Sequence, residues 1–292
     1  MSGINLSEKY KGILYVLLAA ASFSLMSLFL KLAGDLPSIE KSFFRNFVAI
    51  FFAIGVILKN KVPLSIGSKS SLKYLISRSV AGTIGIFGNF YAVDHLVLPD
   101  ANMLNKLSPF FAVIFSYFLL KERVAPYQIL CLILAFGGAM FIIKPGLSSL
   151  SAFPALIGAL GGMGAGFAYT CVRLASQNGV KGPIIVLFFS VFSCLCSVPF
   201  TILNFVMPTP RQLFFLFMTG FAACGGQFGI TAAYSHAPAR EISVYDYSQV
   251  IFAALWGFLF LGERPDLFSV IGYIVIFLAS FIMFEKKRKE AN

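Results

Sequence analysis

The chain has 292 residues, 58% of them hydrophobic and 12% charged, with a mean hydropathy of +0.85. That exceeds what a soluble domain needs to fill its core, and it excludes water as the main solvent. The net charge of +11 would suit a nucleic-acid partner, but the basic residues collect in the short breaks between apolar runs, where they orient membrane helices instead.

Runs of about 20 apolar residues cross a bilayer core as helices, and this sequence supplies them one after another. The first predicted span, 12–33, continues well past Ala19, Ala20 and Ala21, so it reads as a retained helix and not as a cleaved leader. The second, 39–58, carries Phe43, Phe44 and Arg45 near its start, and the third, 73–93, places Gly82, Gly85 and Asn89 on one face. In the fourth, 101–120, Asn102, Asn105, Lys106 and Pro109 fall at i, i+3, i+4 and i+7, which predicts one polar stripe along a continuous helix. The fifth is 127–144. The sixth, 153–174, repeats glycine every four residues at Gly158, Gly162 and Gly166, a close-packing pattern, and also holds Tyr169. The seventh and eighth are 181–203 and 212–234, the latter with Gln227 among Gly225, Gly226 and Gly229. The ninth, 243–262, presents Tyr245, Asp246 and Gln249 on a shared face, and the tenth, 267–285, ends against Lys286, Lys287, Arg288 and Lys289. The fold class expected is an all-α membrane protein of ten transmembrane helices. A β-barrel would need short alternating segments, which the sequence lacks.

Orientation follows from the charges. With both termini cytoplasmic, most of the 23 Lys and Arg residues fall on the inner side, Lys73 and Arg78 among them, while Lys31, Lys41, Lys144, Arg211 and Arg264 fall outside. A multi-pass protein of the inner (plasma) membrane is expected. The terminal basic cluster reads as a stop-transfer anchor. All five cysteines lie in apolar spans without zinc-type spacing and read as packing residues.

Sliding the chain against itself by 141 places aligns Phe87-Gly88 with Phe228-Gly229, His95 with His236, Phe111-Ala112 with Phe252-Ala253, and Glu122-Arg123 with Glu263-Arg264. A shift of 142 aligns Lys31-Leu32-Ala33 with Arg173-Leu174-Ala175. Two five-helix repeats are therefore expected, 1–146 and 147–292. Five is odd, so the second copy crosses in the opposite sense, and two inverted units around a central cavity are the physical basis of alternating access.

These paired halves, the Phe43-Phe44-Arg45 stretch, and Leu120-Lys121-Glu122-Arg123 recurring as Leu261-Gly262-Glu263-Arg264 resemble the drug/metabolite transporter superfamily, and within it the EamA-type branch. The resemblance covers nearly the whole chain and implies ten helices around a central cavity. It does not imply one substrate, because that superfamily handles amino acids, sugars, nucleotides, vitamins and toxic compounds.

A charge at bilayer depth costs on the order of 2.5–3.5 kcal/mol, so it needs a partner or a wet cavity. The repeat aligns Asn105 with Asp246 and Lys106 with Tyr247, so the two polar clusters are expected to face each other. Lys106 suits a carboxylate or phosphate, Asp246 an amine or a coupling proton, and the rings of Tyr245 and Tyr247 a planar or cationic group. Asn102, Asn105 and Gln249 complete the expected substrate site. The competing reading is a structural Lys106–Asp246 ion pair without a role in recognition. Arg45 lies a few residues into its span, and two readings stand, cavity residue or interfacial anchor. Asn89, Gln227 and Tyr169 are further cavity candidates. His95 and His236 read as helix caps, and Glu122 and Glu263 as helix-end pairs that latch the halves.

The function expected is secondary transport of a small polar or zwitterionic metabolite such as an amino acid, with protons as a coupling ion carried by Asp246. An intramembrane enzyme, the main rival, needs a nucleophile with its base, paired carboxylates or a metal cluster, and the sequence supplies no such set. A receptor or scaffold would lack a soluble output domain. No cofactor and no nucleic acid are expected, and ATP drive has no P-loop to act through. The partners are the small-molecule substrate and the lipid bilayer, with the chain a monomer or homodimer.

Overall fold

The computed structural model describes residues 8–66, 69–120, 124–143, 149–236 and 243–290, and every regular element among them is helical. In chain order these are α1 (Glu8–Leu32), α2 (Ser38–Lys59), α3 (Lys69–His95), α4 (Leu98–Asn105), α5 (Ser108–Leu120), α6 (Pro126–Ile143), α7 (Ser149–Gln177), α8 (Gly182–Leu203) and α9 (Pro210–His236). A 3₁₀ turn (Ser243–Tyr247), α10 (Ser248–Trp256), a π turn (Gly257–Leu261) and α11 (Leu267–Glu290) complete the chain. Proline sits in the first turn of α4, α6, α8 and α9, where its missing N–H costs nothing and its fixed φ suits a helix start. Gly34 after α1 and Gly262 after the π turn take φ of +70° and +67°, the left-handed conformation that stops a helix.

Seven of the described helices are long and apolar enough to cross a membrane: Tyr10–Leu32, Ser38–Lys59, Pro126–Ile143, Ala152–Gln177, Gly182–Leu203, Pro210–Ile230 and Leu267–Lys286. α3 has the length but is not among them, with Lys73 and Arg78 in its first half.

The fourth and ninth predicted spans are each broken, which corrects the continuous helices expected over 101–120 and 243–262. At the end of α4 the ladder tightens, with Leu107 N–H bonding to Leu104 O at 3.2 Å and Phe110 N–H to Leu107 O at 3.0 Å. Pro109 has no N–H to give to Asn105 O, so the α pattern cannot run through. Pro109 therefore breaks the stripe it was expected to extend. The ninth span starts as a 3₁₀ turn, becomes α10, and widens into the π turn closed by Glu263 N–H on Gly257 O at 3.0 Å.

Small residues set the helix pairs. α3 packs on α7, where a Cβ on Gly88 would lie 2.8 Å from Ile157 O and one on Gly164 2.8 Å from Ala81 O. The glycines at 162 and 166 face α4 and α5 instead: a Cβ on Gly162 would meet Leu104 O at 2.7 Å and one on Gly166 Ser108 O at 2.6 Å, whereas one on Gly158 would meet Ala92 of α3 at 2.9 Å. α1 packs on α9, with Gly229 against Ala19 and Gly226 against the Phe23 ring, and α6 packs on α11 through Gly138 and Gly272. α2 packs on α8. The main buried cluster lies where α1, α3, α4 and the ninth segment meet, around Phe90, Leu98, Leu104, Leu107 and Val250.

Candidate functional site

The two helix breaks lie against each other. Because Phe110 bonds to Leu107, the Lys106 carbonyl lacks its helical donor, and the Tyr247 hydroxyl donates to it at 3.1 Å. Lys106 Nζ in turn reaches Asp246 Oδ2 at 2.5 Å, with side chains 8% and 23% exposed. One turn earlier, Gln249 Nε2 donates to Asn102 Oδ1 at 2.5 Å, Ser27 Oγ of α1 shares that oxygen at 3.2 Å, and Asn102 Nδ2 returns to Leu98 O. The fourth and ninth segments are therefore joined by an ion pair and two hydrogen bonds, in a site where each partner strengthens the others because water is scarce.

The carboxylate is half used. Asp246 Oδ1 is buried without a hydrogen-bond partner among the described residues. A buried acceptor left open costs about 1–3 kcal/mol, a price that an incoming donor recovers. Tyr245 is exposed beside Asp246, and Asn105 is half-buried at the end of α4. Of the expected site residues the structure joins Asn102 to Gln249 and Lys106 to Asp246, with Asn105 and Tyr245 next to the ion pair in the chain.

Arg45 belongs to a second polar cluster. It is 5% exposed and turned inward, donating to Asn46 Oδ1 at 2.6 Å, so the interfacial anchor is not its place. Asn46 Nδ2 holds Ser193 Oγ of α8 at 2.9 Å. Arg78 of α3, counted from sequence with the inner loop charge, stacks its guanidinium 3.6 Å from the centroid of the Phe189 ring, and Arg45 approaches the same ring at 6.0 Å. Gly82 makes the room, since a Cβ there would lie 2.8 Å from Arg78 Nη1. Tyr169 is exposed on α7, where Asp246, Arg45 and Arg78 all act on it electrostatically. Asn89 is buried where α3 meets Gly161 of α7, and Gln227 is half-buried on α9.

Other ion pairs went unread in the sequence. Lys41, taken as an outer loop charge, is 1% exposed and pairs with Asp94 at 2.5 Å, which also accepts from Ser38 Oγ. Lys31, taken likewise, bonds to Glu263 and to the Leu96 carbonyl, and Glu263 also accepts the Leu98 N–H at 2.7 Å. Buried Asp100 accepts the hydroxyls of Tyr273 and Ser269. Charge at the ends of apolar runs was the available signal, but a single sequence does not say which charges meet. His95 closes α3 with its ring stacked on Tyr91 and Nδ1 on the Tyr91 carbonyl at 2.8 Å, as a cap does. The side chain of His236, and Glu122 with Arg123, lie outside the described residues.

Known proteins resemble this chain over most of its length. The EamA-like transporter family pattern matches residues 10–144 and again 153–285. The Pseudopaline exporter of Pseudomonas aeruginosa is 31% identical over 279 residues, covering 95% of this chain and 97% of its own. Solute carrier family 35 member G1 of Homo sapiens is 27% identical over 280 residues, covering 91% of this chain and 76% of its own. A solved crystal structure superimposes with a TM-score of 0.67 at 16% identity, over 94% of this chain and 97% of that one, a likeness of fold alone.

Proposed function

The chain belongs to the EamA-like transporter family, a family of multi-pass membrane transporters and not of enzymes, and on that premise we propose that it is a secondary carrier working by alternating access. Ten helices cross the inner membrane, in inverted halves 1–146 and 147–292, with both termini cytoplasmic. The helix pairs support this reading. Exchanging the first five segments for the last five turns the α3–α7 pair into the α9–α1 pair, and returns α2–α8 and α6–α11 to themselves. A two-fold axis in the membrane plane has that effect.

The solute is a small polar or zwitterionic metabolite, such as an amino acid or related compound, gripped between the breaks of the fourth and ninth segments. One observation carries this: a buried Lys106–Asp246 pair sits where both helices are interrupted, with Asp246 Oδ1 unpartnered among the described residues. Interrupted helices at bilayer depth release backbone groups that only a polar cavity satisfies, which is why carriers place their sites there. A solute amine takes Oδ1 and a solute anion competes for Lys106. A proton on Asp246 frees Lys106 in the solute's absence, which makes Asp246 the coupling residue. The named activity of the Pseudomonas relative supports export as the direction. The ten-helix unit forms its site without a second copy.

Counterflow in proteoliposomes tests this. Loaded amino acids and related zwitterions exchange with labelled solute through the parent chain, and Asp246→Asn and Lys106→Met reduce exchange to a small residual while the protein stays folded. Exchange at the parent's rate in both variants returns the pair to architecture.

A further inference from the structure

Arg45 and Arg78 are two cations without a counter-ion among the described residues. Arg45 comes from α2 and Arg78 from α3, and both approach the α8 ring Phe189, at 6.0 Å and 3.6 Å from its centroid. Arg45 Nε, Arg78 Nε and Arg78 Nη1 are buried and have no hydrogen-bond partner, and neither guanidinium pairs with a carboxylate among the described residues. Among the described acids Asp94 is engaged by Lys41 and Ser38, Asp100 by Tyr273 and Ser269, and Asp246 by Lys106, while buried Glu40, on α2 with Arg45, accepts the Val206 N–H at 3.2 Å through one of its oxygens. The two guanidinium groups also repel each other. Phe189 offsets part of the cost, because the face of an aromatic ring attracts a guanidinium, but it accepts no N–H in the plane of the fork. Desolvated, like-charged and open, the pair destabilises the empty protein, and an arrangement of that kind lasts where a ligand completes it.

We infer that Arg45 and Arg78 form an anion subsite that takes the carboxylate, or another oxyanion, of the transported solute. Arg78 holds two N–H donors, at Nε and Nη1, without a partner among the described residues, and a guanidinium donor to a carboxylate oxygen makes a charge-assisted bond. Arg45 Nε supplies a third donor. The inference rests on the carrier reading above and narrows its substrate class: a solute with at least one anionic group held at the arginines, apart from whatever Asp246 and Lys106 hold.

The test uses the full chain purified in neutral detergent, with succinate, glutamate and inorganic phosphate as probes against chloride of matched ionic strength. The variants are Arg78→Gln, Arg78→Lys and Arg45→Lys. Stabilisation reports binding to the folded state. At least one oxyanion raises the melting temperature of the parent. In Arg78→Gln that anion binds about tenfold more weakly or worse, and Arg78→Lys keeps part of the response. Without ligand, Arg78→Gln melts no lower than the parent, because it removes a desolvated cation; a structural arginine gives the opposite sign. A parent indifferent to all three probes overturns the subsite, and so does an Arg78→Gln protein with the full response. A second arm adds phosphatidylglycerol: stabilisation by that lipid alone, dependent on Arg78, assigns the anion to a headgroup and overturns the solute assignment. Counterflow separates the two readings. Absence of any exchange by the parent defeats the carrier reading and leaves the binding response standing, whereas exchange of an anionic solute that Arg78→Gln leaves unweakened defeats the subsite alone.

Discussion

Lys31, in the last turn of α1, bonds to the carboxylate of Glu263, 232 positions further along the chain, and the same carboxylate accepts the first N–H of α4 from Leu98. Three segments from both halves of the sequence meet on one acidic side chain at the end of the π turn. Both partners are mostly buried, at 19% and 15% side-chain exposure, so removing one leaves a charge that water reaches poorly.

Lys31→Met is accordingly expected to destabilise the protein by about 2–4 kcal/mol, and Glu263→Gln by a similar amount. The double variant Lys31→Met/Glu263→Met recovers much of the loss, because it leaves no orphaned charge. Thermal unfolding in detergent of all four proteins checks the cycle. Equal and additive losses would mean that the two groups do not depend on each other.

Tyr247 donates to a carbonyl that the broken helix cannot satisfy. Tyr247→Phe keeps the ring and deletes only the donor, and an expected cost of about 1–2 kcal/mol follows from leaving the Lys106 carbonyl unpaired. The melting temperature falls while the protein still binds solute, since neither Asp246 nor Lys106 has been touched. Loss of binding with an unchanged melting temperature would put the hydroxyl in contact with solute instead.

The α3–α7 contact leaves no space for a methyl group. A Cβ on Gly88 would press on Ile157 O at 2.8 Å and one on Gly161 on Asn89 N at 2.9 Å, both backbone atoms that cannot swing aside. Gly88→Ala and Gly161→Ala are each expected to cost about 1–3 kcal/mol. Gly137→Ala, where nothing lies within 4 Å, is the control and changes the melting temperature little.

Asp246, if it carries the coupling proton, makes exchange depend on pH. Asp246→Asn mimics the protonated form permanently, so its residual exchange is expected to lose the pH dependence of the parent. Exchange rates measured across a pH series in proteoliposomes decide the matter: a residual profile parallel to the parent's moves coupling to another residue.

Much of this was legible from residue order, and the rest fails for identifiable reasons. Lys106 and Asp246 stood out because a charge inside an apolar run has to be accommodated, and the internal repeat aligns Asn105 with Asp246 and Lys106 with Tyr247, one position apart. The breaks at those points were missed because Pro109 was read by the face it occupies and not by the N–H it lacks. Arg78 was missed because the start of α3 is crowded with Lys69, Ser70, Ser71 and Lys73, so its charge merged with that of a loop. Lys41 and Asp94 are 53 positions apart, and nothing local to either names the other. Periodicity reports the face of one helix, whereas an ion pair is a fact about two.

The division of the helices into strongly and weakly apolar ones bears on how the protein is made. Seven described helices carry enough apolar surface to leave the insertion machinery for lipid on their own account, while α3, the α4–α5 segment and the α10 segment carry polar groups or breaks. In the ten-crossing arrangement proposed above, those three enter only when α1 and α7 are there to receive Asn102 and the glycine-lined face of α3. Biogenesis is then a sequence of dockings and not of independent insertions. A substitution at Gly161 or Ser27 would first be felt in the newborn chain, as a segment stranded on the wrong side of the membrane, and degradation would remove the product before any transport assay could register a defect.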